Sequence, residues 1–586
     1  MASLPLTQPL TITGSSTTTS LCPFPRNNSI LNTKRREAHV RRSLSSNAGS
    51  EEASSQWPQL GKVDRRNVLL GLGITGVGSN PLAMADPIAA PDLTKCGNAE
   101  LSDGTVLPVD CCPPTALEII DFKPPPFTKL RVRPVAHKVD KEYIAKYNKA
   151  LSLMKALPDT DPRSFSQQAD VHCAYCNSAY DQTGYPGVEL QVHNSWLFYP
   201  FHRWYLYFYE RILGKLIGDP TFAIPFWNWD HPDGMKMPSM FTSDTSSALY
   251  DVNRSPSHQP PYVIDLDYSP SQDAGKPAKP YKQQVDENLT TMYKQMVSGA
   301  NTQSLFFGGD YRAGEPPENS PGSVESRPHI PLHIICGNEN NKNGEDMGNF
   351  YSAGRDPLFY CHHGNVDRMW SLWKQLPGKK KNDITDPDWL NATFLFYDEN
   401  AKLVRVKVAG CLDTKKLGYV YEQVDLPWLK KKPKSKKVAK LAVGAAIAAE
   451  STKGLTPLSA FPIALKKAIT VKVPRPKKGR SKAEKEEEEE ILVIEGIDYD
   501  KSTAVKFDVY VNDEDEAGPE KSEFAGSFVT VPHNTKNKEK TYTKLKLGIT
   551  ELLEDVGADD DEDVLVTLVP KSGNVTVGGV KIVYEY

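Results

Sequence analysis

The chain has no apolar run long enough to cross a bilayer. The apolar stretch 68–77 is well short of the about 20 residues a spanning helix needs, and no other stretch reaches that length, so membrane insertion is not expected and the mature protein should be soluble. A dominant charge is also missing. With 70 Lys and Arg against 73 Asp and Glu, the net charge of −3 offers no basic surface for a nucleic-acid partner. Histidine is scarce, 12 in 586 residues. Aromatic residues make up an ordinary 9% but concentrate around the histidines, where they can wall a dry pocket. At this length two or more domains can each bury a core of their own.

Seven of the twelve histidines fall in two clusters. One holds His172, in His172-Cys173-Ala174-Tyr175-Cys176, then His193, then His202 in Phe201-His202-Arg203-Trp204. The other holds His329 and His333, followed about thirty residues on by the adjacent pair His362 and His363. His329 and His333 are four apart, so on a helix both imidazoles leave one face, a turn apart. A single such histidine is more often a satisfied core residue than a ligand. Two clusters of three, each followed by an aromatic helical run, point instead to metal. Three neutral imidazoles around one ion suit zinc, copper, iron or nickel and leave a position open for chemistry. Spacing alone does not choose between His362 and His363.

The N-terminus reads as two targeting signals in tandem. Residues 1–50 are rich in Ser, Thr and Asn and carry several arginines with Glu37 as the only acid, as plastid transit peptides do. Arg65-Arg66, the apolar run and Ala83-Met84-Ala85 then read as a twin-arginine export signal with its cleavage site. The expected route is chloroplast import and transfer to the thylakoid lumen, with the mature chain starting at Asp86. Cys96, Cys111, Cys112 and Cys173 lie near the first histidine. Four cysteines allow three pairings, and any structural disulfide needs an oxidising compartment.

Further along, apolar residues recur at helical spacing over 143–157 and 196–216, and another helix is expected near 285–297. Asp367 and Arg368 read as a structural charge pair. Lysines dominate 430–437, and a basic run meets five glutamates within 477–490, so 426–490 reads as a charged flexible linker. β-Branched, alternating runs separated by turns fill 491–586 and predict a small β-sandwich or barrel.

His172-Cys173-Ala174-Tyr175-Cys176, the run from Phe201 to Arg211, and His362-His363-Gly364-Asn365-Val366-Asp367-Arg368-Met369-Trp370 together resemble the plant polyphenol oxidases, the catechol oxidases and tyrosinases of the type-3 copper family. The resemblance extends over nearly the whole chain and includes Asp388-Trp389-Leu390, Tyr419-Val420-Tyr421 and Lys506-Phe507-Asp508-Val509. It implies a multidomain protein. A mainly α-helical catalytic domain, 86–425, would hold a four-helix-bundle dicopper core, with the Asp-Trp-Leu segment at about 376–425. A C-terminal β-sandwich or jelly-roll-like domain, 491–586, would shield the site and keep the enzyme latent. The resemblance also implies two copper ions, His172, His193 and His202 on copper A and His329, His333 and His363 on copper B. It pairs Cys96 with Cys112 and Cys111 with Cys173, and joins Cys176 to His193 by a thioether. Phe350 matches the aromatic gate over the coppers, and Glu325 the carboxylate that holds a water. The activity implied is oxidation of o-diphenols to o-quinones with reduction of O2 to water. Ile330 stands where members proposed to be good tyrosinases carry an Asn, so monophenol hydroxylation is expected to be weak. The family commonly has smaller residues between these two histidines and Trp-Thr-Gly after them, so Ile330, Leu332, Ile335 and Cys336 would reshape the pocket wall. That motivates a second reading, a dedicated hydroxylase or biosynthetic oxidase for one plant phenol. A third, an oxygen carrier like the hemocyanins, fits plastid targeting poorly.

Overall fold

The structure is a computed structural model. It describes residues 86–98, 109–270, 278–317, 320–378, 380–433, 454–501, 503–513, 521–532 and 543–585. The expected targeting signals in 1–85 and the lysine- and alanine-rich part of the expected linker, 434–453, lie outside the described residues.

Helix α1 (Lys141–Lys155) starts where the Asp140 side chain accepts from the Tyr143 N–H, and it buries Tyr147, Ala150, Leu151 and Met154 on one face. Helix α2 (Phe165–Cys176) is capped by Ser164 and carries His172. Helix α3 (Phe198–Leu216) is buried nearly all round, so its aromatic stripes are core on every side rather than on one face. Helices α4 (Tyr281–Tyr293) and α5 (Gln303–Phe307) lead to the second histidine segment. The helix expected through His329 and His333 is broken there. Glu325–His329 is a single wide turn with Arg327 extended (φ −150, ψ 132), and a regular helix, α6 (Ile330–Cys336), begins only after it. Pro328 has no N–H to donate and disfavours a helical Arg327, which accounts for the break. Helix α7 (Leu358–Trp373) carries His362 and His363 and packs along α3. These segments form the helical core.

Charges on α3 and α7 are buried but paired. Glu210 accepts from Arg131 (2.7 Å) and Arg133 (2.8 Å), and Asp367 from Arg203 (2.5 Å) and from the Tyr419 hydroxyl (2.7 Å). Both arginines of the first pair lie on the strand Arg131–Arg133, which runs parallel to Tyr419–Tyr421. Asp367 and Arg368 do not pair with each other as the sequence suggested. As consecutive residues on a helix they point in different directions, and Arg368 reaches Asp230 at 3.0 Å.

The C-terminal domain is a sandwich of two antiparallel sheets. One takes strands Thr543–Gly548, Glu489–Tyr499, Gly579–Glu585, Val575–Val577 and Ile463–Ala464; the other takes Phe524–Thr530, Val505–Val511, Asp563–Ser572 and Ile469–Pro474. The stretch 426–490 is therefore not flexible throughout. From residue 463 it supplies two strands, and Val471 and Val473 are fully buried in the sandwich core. The alternation of Ile469, Val471 and Val473 is a strand pattern that the surrounding lysines and glutamates obscure in composition. Some of those charges serve the fold: Ser481 and Glu484 form a capping box, and Glu490 accepts from Arg475 at 2.8 and 3.0 Å. Along Val505–Val511 the pleat sends Val505, Phe507, Val509 and Val511 into the core. It sends Lys506 and Asp508 to the opposite face, which meets the helical domain.

Candidate metal centre

The six sequence-predicted ligands converge in one buried place between α2, α3, α6 and α7. The His172, His193 and His202 rings are 5.1–5.7 Å apart, centre to centre. Those of His329, His333 and His363 are 4.6–5.5 Å apart. The two groups touch, with His202 stacked on His363 at 4.3 Å and His193 at 5.9 Å from His329.

Backbone carbonyls orient the rings. The Nδ1–H donates to Phe350 O from His172 (2.8 Å), to Phe198 O from His202 (2.8 Å), to Glu325 O from His329 (3.1 Å) and to Met347 O from His333 (2.8 Å). With Nδ1 protonated, Nε2 carries the lone pair. The Nε2 atoms of His172, His202 and His329 are buried with no protein partner, and those of His333 and His363 face each other at 3.3 Å. Burial lowers the basicity of the His172, His202, His329, His333 and His363 imidazoles, that of His202 to about 3 and that of His333 to about 4. They are neutral at physiological pH. Buried lone pairs converging without protons are costly alone and fit a soft or borderline cation.

His362 is also brought in. Its donor atoms lie within 4.8 Å of those of His329, His333 and His363. Its ring stacks near His329 (5.4 Å) and faces Trp227 and Trp229, whereas His363 also reaches the His172 and His202 rings.

Cys176 is a buried thiol whose Sγ lies within 4.8 Å of ring nitrogens of His172 and His193. Phe350 stacks on His193 at 4.4 Å, with the planes 13° apart. Glu325 is fully buried; its Oε1 accepts from the Asn194 N–H at 2.6 Å, one residue past His193. Burial pushes its carboxyl well above the ordinary range, against the pull of the Asn194 and Gly322 N–H donors. Ile330 is buried beside His329. Disulfides join Cys96 to Cys112 and Cys111 to Cys173, tying the N-terminal segment to the residue after His172.

Three features were not read from the sequence. Phe198 and Phe359 pack against the imidazoles of both groups; the aromatic runs around the histidines announced a wall but not which rings form it. Arg327 and Asp267 pair at 2.7 Å and meet the sandwich, where Lys506 Nζ lies 3.0 Å from Asp267. Strand Phe524–Thr530 packs over the Glu325–His329 turn and α6, and Val529 and Val531 join the helical core that contains Ile330 and Phe350. Nothing local in Val529 or Asp267 signals a contact with so distant a part of the chain.

Residues 162–376 match the common central domain of tyrosinase, 383–434 the polyphenol oxidase middle domain, and 461–584 the chloroplastic polyphenol oxidase C-terminal domain. The chain is 55% identical to a chloroplastic polyphenol oxidase of Malus domestica over 96% of both chains. It is 53% identical to aureusidin synthase of Antirrhinum majus, over 85% of this chain and 88% of that one. The structure of latent apple tyrosinase superposes with a TM-score of 0.75 at 57% identity, covering 80% of this chain and all of that one.

Proposed function

The chain belongs to the plant polyphenol oxidases, copper oxidoreductases of the tyrosinase family, and from that premise we propose a two-copper centre held by six imidazoles. His172, His193 and His202 hold copper A, and His329, His333 and His363 hold copper B. The observation that carries this is the set of buried Nε2 atoms aimed into one space, those of His172, His202, His329 and His333 left as lone pairs by the Nδ1–H bonds to carbonyls. His363 is preferred to His362 on the family pattern, and its ring packs against the His172 and His202 rings while that of His362 faces Trp227 and Trp229.

When bound, the metal pair supplies the two-electron exchange that takes an o-diphenol to an o-quinone while each O2, serving two diphenols, goes to water. The chain's own part is geometry and dryness. Four carbonyls fix the imidazole tautomers. Phe350, Phe198 and Phe359 line the space and exclude water. A thioether between Cys176 and His193 would lock that imidazole's orientation. Glu325 steadies the loop after His193 through Asn194 and is the group placed to hold a water for deprotonating a phenol. Ile330 offers no hydrogen bond to help it. The physiological activity is therefore assigned to o-diphenols.

Val529 and Val531 make the sandwich a cover over the centre, so the intact chain is latent until this domain is displaced. The protein is a chloroplast protein, and we place it in the thylakoid lumen, with its mature N-terminus at Asp86. Aureusidin synthase and a (+)-larreatricin hydroxylase are among its relatives, which favours a single-phenol biosynthetic oxidase as the second reading.

Copper content separates the ligand assignments. His333→Ala and His363→Ala should each lose copper B and nearly all activity, whereas His362→Ala should retain both ions. A His333→Ala chain with two coppers and full activity overturns the assignment. Oxygen uptake by the activated enzyme across a panel of phenols decides between the two readings: general o-diphenol turnover supports the first, confinement to one phenol the second.

A further inference from the structure

We propose that Gln191 is a positioning residue that holds His193 against Cys176 so that the thioether can form and copper A can be bound. This rests on the reading of the centre given above. His193 is the one proposed ligand outside a helix or helical turn, since it lies on irregular chain between strand Tyr185–Glu189 and α3. Cys176 is the last residue of α2, and its carbonyl is one of those a helix end leaves without an intrahelical partner.

The Gln191 carboxamide bridges the two. Its Nε2 donates to Cys176 O at 3.0 Å, while its Oε1 accepts from the Val192 N–H at 2.9 Å and the His193 N–H at 3.0 Å. The side chain is 4% exposed, so these bonds are made away from water. A carboxamide supplies the donor and the acceptor on two separate atoms of one planar group, as this bridge requires. Leucine has the size without either, and glutamate keeps the acceptor but turns an oxygen toward the Cys176 carbonyl. The excursion 177–190 between the two partners is closed at its base by Leu190 N–H donating to Tyr180 O at 3.0 Å. Gln191 adds the next rung with a side chain, at the point where the chain must deliver His193.

In the crosslinking step the Cys176 S–H and one ring C–H of His193 are lost and one S–C bond forms. The two electrons and two protons pass to dioxygen, the enzyme's own oxidant, reducing it to hydrogen peroxide.

The test uses the full mature chain expressed without copper, then given copper and air. Crosslinking is followed as the loss of two hydrogens in the peptide joining Cys176 and His193, alongside copper per chain and Tm. In Gln191→Leu the crosslinking rate should fall by on the order of tenfold, the scale of losing a small set of buried hydrogen bonds, and copper should drop toward one per chain. Gln191→Glu should fall between Gln191→Leu and wild type, and it carries the test if Gln191→Leu does not fold. A lower Tm with crosslinking of the folded protein at the wild-type rate in these variants overturns the clamp alone. A wild-type chain that loads two coppers and never crosslinks overturns both the clamp and the thioether, and one that takes up no copper overturns the reading of the centre itself.

Discussion

Replacing Lys506 by methionine removes a charge from the face the sandwich presents to the helical domain while keeping most of its aliphatic stem. Lys506 Nζ lies 3.0 Å from Asp267 Oδ2, with side-chain exposures of 1% and 6%, and Asp267 also accepts from Arg327 Nη1 at 2.7 Å. Stripping one partner from a buried ion pair usually costs about 3–5 kcal/mol. Arg327 remains on Asp267 in the variant, so the loss in docking should be smaller, about 2–3 kcal/mol. That corresponds to roughly a 30- to 150-fold rise in the undocked fraction. The assay is oxygen uptake with catechol by the uncleaved chain, without detergent and at a fully activating detergent concentration. Basal activity of Lys506→Met should rise by that factor or until it saturates, and the detergent midpoint should fall. Lys506→Arg should recover much of the latency. Unchanged basal activity and an unchanged midpoint in a folded Lys506→Met chain would refute the argument that this buried pair holds the cover shut.

The same pair predicts a pH dependence. Burial pushes the Asp267 carboxyl up, but Lys506 and Arg327 outweigh it and leave it at about 2. A depressed carboxyl contributes docking stability above its undocked value and loses it as pH falls through the docked one, so this contribution should hold down to about pH 4 and vanish toward pH 2. Activity at neutral pH, measured after acid incubation of the intact chain, checks this, and opening through this pair already at pH 6 contradicts it. Ile330→Asn should raise tyramine turnover relative to dopamine on activated enzyme, while the parent turns over the monophenol weakly or with a lag; comparable parent rates without a lag would contradict the role given to Ile330. Cys173→Ser removes a bond with a sequence separation of 62, which chain entropy values at about 4 kcal/mol. A large fall in Tm, reproduced by reductant in the parent, is the expected result, and an unchanged Tm would show that the bond does not stabilise the fold.

The histidine clusters were legible because histidine is rare here and the ligands sit in short, distinctive runs. Helices α1 and α3 were legible from apolar periodicity, and the sandwich strands after residue 491 from their β-branched alternation. The break at Arg327 and Pro328 is hidden in the sequence because the four-residue spacing of His329 and His333 satisfies a helical reading by itself. The start of the sandwich is obscured by the charge that dominates 463–490, although Val471 and Val473 alternate with polar residues. Gln191, Asp267 and Lys506 have roles that depend on tertiary contact. Gln191 is an ordinary polar residue until the chain brings Cys176 back to it, and the Lys506–Asp267 pair spans 239 positions.

Metal analysis combined with oxygen stoichiometry on the activated full chain tests the central claim most directly. The account predicts two coppers per chain and one O2 consumed for every two catechol molecules oxidised, with water as the reduced product. One metal per chain, zinc in place of copper, or reversible oxygen binding without catechol consumption would contradict it.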